Sequence, residues 1–179
     1  MSIQNTPQYK KSLKKIQKNY GFTNAEEALT KWWHNDDIAM WFEKTVQAML
    51  TSKEILQQYA ALVLEDVHQQ NNCEDGIYII YLPDDWLPFE HEDVVERGQE
   101  RVREAGFGPD DSLITHEDTY YEFVTALVWE AAELTGLNKA LEEVAKACGV
   151  EYDYALTFEN HPFWPGDALV ATFTCSEKA

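Results

Sequence analysis

Apolar residues in this chain recur at helical spacing through the first 72 positions and at strand spacing near the end, and that switch leaves few arrangements open. From Lys10 to Tyr20, Leu13, Ile16, Gln17 and Tyr20 share a stripe with lysines around it. Thr23 or Asn24 ahead of Glu26 and Glu27 has the form of a helix start, because a short polar side chain accepts free backbone N–H groups and acids suit the positive dipole end. A helix from there through Trp33 is expected. Asp36 and Asp37 open another, with Ile38, Trp41, Phe42, Thr45, Val46 and Met49 on one side. Thr51 with Glu54 forms a capping box for a third, whose apolar face would be Ile55, Tyr59, Leu62, Val63 and Val67.

Past the turn-rich stretch 71–76 the pattern changes. Ile77 to Leu82 is a β-branched and aromatic run without helical period, hence a strand. Asp84 to Phe89 forms a loop and Glu90 to Ala105 a charged helix with Gly98 in its middle. Asp118 to Leu134 and Asn138 to Ala147 are further helices, stopped by Gly136 and Gly149. Val150 to Phe158 then alternates with period two, and Asp167 to Cys175 follows beyond a Pro- and Gly-bearing loop at 160–166. Late strands joined by a short loop pair antiparallel. The expected fold is therefore α+β: a helical N-terminal region at 1–72, then an α+β region at 73–179 with a small, mainly antiparallel sheet of about three strands, together one compact unit.

Charge narrows function more than fold. Thirty-two acidic residues face fourteen basic ones for a net of −18, and five of the lysines fall in the opening segment before any acid. From residue 24 onward nine basic residues stand against all thirty-two acids, a net of −23. Such a surface repels phosphate backbones and anionic headgroups and attracts basic proteins, so it excludes direct nucleic-acid and membrane binding. Solubility alone would also account for it. No run of 18 apolar residues occurs, the lysine-bearing start lacks an apolar sequel, and three cysteines stand far apart without a C-x-x-C pair. Those features point to a cytoplasmic protein.

Catalytic templates are missing: there is no G-x-G-x-x-G, G-x-x-x-x-G-K-[ST], G-x-S-x-G or H-E-x-x-H. His91-Glu92-Asp93 and His116-Glu117-Asp118 suggest a divalent-metal hydrolase, as does the pair Glu130 and Glu133. Adjacent residues on a helix diverge, however, and acids are at home in a first turn. No cofactor and no metal site is therefore expected.

The stretch from Asp84 to Glu122 is the densest in acids. It includes Asp84, Asp85, Glu90, Glu92, Asp93, Glu96, Glu100, Glu117, Asp118 and Glu122, offset by Arg97, Arg101 and Arg103. Glu92, Glu96 and Glu100 repeat every fourth residue and so share one helix face, a sparse line of negative points like a nucleic-acid backbone. Arginine pairs at i, i+4 would make the same helix an ordinary solvated face. Trp86 and Trp164 lie in loops, where a tryptophan either covers the core or anchors a partner. In composition the chain resembles phage or plasmid counter-defence proteins that imitate DNA, of the anti-restriction or anti-CRISPR kind. The expected function is a non-enzymatic inhibitor of a basic, nucleic-acid-binding protein; the alternative with the same electrostatics is an immunity protein or antitoxin against a basic nuclease. Self-association into a homodimer stays open.

Overall fold

The computed structural model describes residues 2–70, 76–82, 88–108, 118–160 and 167–175. Its elements are helix α1 (Pro7–Tyr20), strands β1 (Gly21–Phe22) and β2 (Trp33–His34), helix α2 (Asn35–Gln70), strand β3 (Gly76–Leu82), helices α3 (His91–Glu104), α4 (Asp118–Thr135) and α5 (Leu137–Cys148), and strands β4 (Glu151–Asn160) and β5 (Asp167–Cys175). The chain is α+β, mostly helical in its N-terminal half, with a small antiparallel sheet. It divides into two compact units, Met1–Thr45 with Leu87–Glu130, and Val46–Trp86 with Ala131–Ala179.

The first unit is built around aromatic rings. α1 starts on Thr6, whose hydroxyl accepts from the Tyr9 N–H at 3.3 Å, and Pro7 fills a first-turn position where no N–H is needed. It buries Tyr9 and Ile16, with Tyr9 4.9 Å from Phe42. Burial and the Glu43 carboxylate push the Tyr9 hydroxyl up to about 12. Lys10, Lys11, Lys14 and Lys18 are exposed, and Lys15 reaches Glu130 at 2.7 Å.

The segment 24–33 departs from the sequence expectation. Asn24 Oδ1 accepts from the Glu27 N–H at 3.0 Å and Glu27 accepts from Thr23, as a helix start requires, yet only a 3-10 turn at Glu27–Leu29 follows. Trp33–His34 instead pairs in parallel with Gly21–Phe22. Leaving helical geometry lets the adjacent indoles of Trp32 and Trp33 both enter the core, a gain that outweighs a turn or two of marginal helix. Trp33 stacks on Phe123 with centroids 4.2 Å apart, and its Nε1–H donates to the Val94 carbonyl at 2.9 Å.

Those indoles also explain Gly98. A Cβ there would lie 2.8 Å from Trp32 Cε3 and 3.0 Å from Trp33 Nε1, so α3 carries glycine where the rings touch its backbone. Alanine would gain about 1 kcal/mol of helix propensity but forces the rings aside at a cost of about 1–3 kcal/mol. Trp33 is held by its hydrogen bond, so overpacking wins. Gly98→Ala is expected to lower stability by about 1 kcal/mol, read as a reduced urea midpoint.

α2 corrects a second expectation. Two helices divided at Thr51 are in fact one of 36 residues. No Gly or Pro interrupts Asn35 to Gln70, and the Thr51 hydroxyl donates to the Gln47 carbonyl at 2.9 Å as in a helix interior, so it is no N-cap. The buried face over 46–66 consists of Val46, Met49, Leu56, Ala60 and Leu64; Ile55, Tyr59 and Leu62, expected inside, are exposed.

The second unit holds the sheet, in the order β3-β5-β4 with antiparallel neighbours. Ile77 pairs with Thr174 and Leu82 with Leu169, and on the other side Tyr152 pairs with Phe173 and Phe158 with Leu169. Central β5 buries Leu169, Val170, Ala171 and Phe173. β4 shifts register between Asp153 and Thr157. There Asn138 of α5 takes over: its Oδ1 accepts from the Leu156 N–H at 3.2 Å and from the Tyr152 hydroxyl at 2.9 Å. A backbone donor freed by the irregularity is thus satisfied by a side chain. Gly136 (φ 74°) makes the left-handed link between α4 and α5, and Lys53 donates to the Thr135 carbonyl at 3.1 Å, a cation at a helix C-terminus.

Candidate binding face on the third helix

Five of the sequence-selected acids come together on or beside α3. Glu90 precedes the helix, Glu92 and Asp93 occupy its first turn, and Glu96 and Glu100 follow on later turns; all five are exposed. Acids in the first turn are favoured by the dipole, whereas Glu96 and Glu100 gain nothing from it.

The arginines decide how much of this charge remains. Arg101 directs Nε and Nη2 to the two carboxylate oxygens of Asp37, at 2.8 and 3.2 Å, and gives Nη1 to Glu104 at 2.9 Å. Asp37 is buried, and its carboxylate pushes the Arg101 guanidinium further up, keeping it charged. Arg97 lies 3.9 Å from the same Asp37 and 3.1 Å from Glu100. For Arg97 and Arg101 the expected i, i+4 pairing gives way to i, i+3 pairs and a shared carboxylate on α2, while Arg103 is exposed with no ion pair among the described residues. Glu92, Asp93 and Glu96 have no ion pair among the described residues.

Beside these acids α3 borders a cleft of about 350 Å³ lined by Met40, Trp41 and Lys44 of α2, Pro88 and Phe89, and Asp93, Glu96, Arg97 and Glu100. Trp41 and Phe89 sit 6.5 Å apart at 56° and give it an aromatic side. An apolar wall faces three carboxylates, of which Lys44 and Arg97 offset two, and the one negative charge in excess suits a single long side chain with an aliphatic stem and a cationic head. Periodicity showed the acids but not this cleft: Met40, Trp41 and Lys44 come from some fifty positions away, and no local pattern joins them to α3.

Among the described residues selected from the sequence, Glu90, Glu92 and Glu122 do not line it. Glu122 is exposed on α4, where its carboxylate, together with burial, raises the Tyr20 hydroxyl. Asp118 begins α4. Asp84, Asp85, Trp86, Glu117 and Trp164 lie outside the described residues, as does His116.

The residues of the metal alternative that the structure describes are engaged elsewhere. The His91 ring lies 4.3 Å from Tyr120, Glu130 is held by Lys15, and Glu133 accepts from the Asn138 amide at 2.9 Å. Among the described residues no three His, Cys, Asp or Glu side chains gather as an ion would need. The Cys148 thiol is pushed up by burial and the Glu65 carboxylate, away from nucleophilic thiolate. No helix of the described residues is long and apolar enough to cross a membrane.

No protein family, no curated protein and no solved structure matches this chain.

Proposed function

We propose that the chain is a non-enzymatic acidic binding protein that occupies the nucleic-acid site of a basic partner, in the manner of counter-defence proteins that imitate DNA. The observation that carries this reading is the division of charge on α3: Asp37 draws Arg101 inward and Glu100 takes up Arg97, leaving Glu92, Asp93 and Glu96 exposed and unpaired among the described residues. Three adjacent carboxylates beside an aromatic-walled cleft meet a lysine or arginine of the partner with both charge and apolar contact. Such a field steers association and is screened by salt.

The test is retention of host proteins on the immobilised chain at about 0.1 M and about 1 M salt, where the Debye length falls from about 10 Å to about 3 Å. The expected result is a nucleic-acid-binding protein held at the lower salt, released at the higher, displaced by duplex DNA, and lost with Glu92→Gln/Asp93→Asn/Glu96→Gln. Retention indifferent to salt and to these substitutions would end this reading. Should the retained protein be a nuclease toxin, the immunity form of the same mechanism applies.

A further inference from the structure

The second unit carries a helix face that its own core does not use. Along the α2 segment at 46–66, the buried residues Met49, Leu56, Ala60 and Leu64 turn one side inward. On the opposite side Ile55 is 67 % exposed, Tyr59 38 % and Leu62 68 %. Steps of four and three place these side chains in one continuous stripe. Single exposed apolar residues are ordinary, whereas an aligned set with a polar border marks a contact surface.

Among the described residues of this stretch, the charged ones beside the stripe are acidic. Helical geometry places exposed Glu54 and Glu65 along one edge of the stripe and exposed Asp66 at its C-terminal end. Lys53, the stretch's lysine, is committed to the Thr135 carbonyl. The stripe therefore offers an apolar seam bordered by carboxylates, the counterpart of a helix whose apolar seam is bordered by cations. A second copy fits poorly: antiparallel pairing of two such faces sets Glu54 and Glu65 of one chain along the same edge as those of the other, in molecules of net charge −18.

We propose that this face of α2 docks an amphipathic helix of a partner protein, with Ile55, Tyr59 and Leu62 as anchors and Glu54 and Glu65 pairing with its flanking lysines or arginines. This site is argued from residues in a different unit and does not rest on the α3 reading.

The probe is a synthetic peptide of about 18 residues, five helical turns, with leucines at i, i+3, i+4 and i+7 and lysines on both edges. Two controls accompany it, one with glutamate for lysine and one with the same composition in shuffled order. Titration into the full-length chain is followed by amide chemical shifts and by peptide anisotropy. The expected result is saturable binding of the patterned lysine peptide with shifts confined to residues 50–66. Ile55→Ser/Leu62→Ser, both exposed and so harmless to the fold, is expected to weaken it at least about tenfold, the loss typical of removing central apolar anchors. Glu54→Gln/Glu65→Gln is expected to weaken it and flatten its salt dependence. Equal binding of the shuffled peptide, shifts located elsewhere, or no binding would overturn the proposal. So would sedimentation of the unmodified chain as a dimer that Ile55→Ser/Leu62→Ser dissociates, since a second copy would then cover the face.

Discussion

Trp33→Ala is expected to destabilise the protein by about 3–5 kcal/mol, the range for deleting a large aromatic from a packed core. Domains of this size are typically held by about 5–15 kcal/mol, so the loss is a large share of the total. The cause is specific. Trp33 is fully buried, stacked 4.2 Å from Phe123, set edge-on to Trp41 at 6.2 Å, and bonded through Nε1–H to the Val94 carbonyl. Alanine leaves a void bounded by rings that other contacts already hold. Trp33→Phe keeps most of the stack and gives up the indole N–H, so a smaller loss of about 1–2 kcal/mol is expected. Urea denaturation of both variants checks this, and equal losses would show that the hydrogen bond, and not ring volume, governs the site.

The same residue shows where sequence reasoning stopped. Strands β3, β4 and β5 were legible because IYIIYL lacks any helical period and the residues from Val150 to Phe158 alternate with period two, broken only at Ala155. α4 and α5 were legible because long apolar stripes end at Gly136 and Gly149, both at positive φ. Segment 24–33 has an equally sound N-cap, but a cap states only that a helix is able to begin. Whether it continues depends on Phe123, Gly98 and Val94, positions 60 or more residues away that no local window contains.

α2 shows the complementary difficulty. Its second half carries two apolar stripes side by side, which compete for the core, and Leu56, Ala60 and Leu64 displace Ile55, Tyr59 and Leu62 from the expected place. Periodicity finds amphipathic faces; it does not say which of two a neighbour will cover. The acidic face on α3 was visible as a four-residue repeat of glutamates. Its uneven neutralisation was not, because it depends on Asp37, 64 positions from Arg101.

That long-range pair sets the last expectation. Arg101→Met is expected to cost about 3 kcal/mol, since it leaves the Asp37 carboxylate buried with Arg97, 3.9 Å away, as its remaining ion-pair partner among the described residues. Glu104→Gln breaks an exposed i, i+3 pair of the same arginine and is expected to cost less than about 1 kcal/mol. Replacing both partners, Asp37→Leu with Arg101→Met, is expected to recover most of the loss, because no charge then remains stranded. A double-mutant cycle in urea measures the coupling, and additivity of the two single losses would refute it. The pair also links the fold to the acidic face. With Asp37→Asn, Arg97, already paired with Glu100, loses the second carboxylate it lies near and becomes available to Asp93 one turn back on its own helix. The exposed field weakens without any change to its carboxylates. Asp37→Asn is therefore expected to reduce salt-sensitive retention of the basic partner while circular dichroism shows α3 intact; undiminished retention would mean that these arginines serve stability alone.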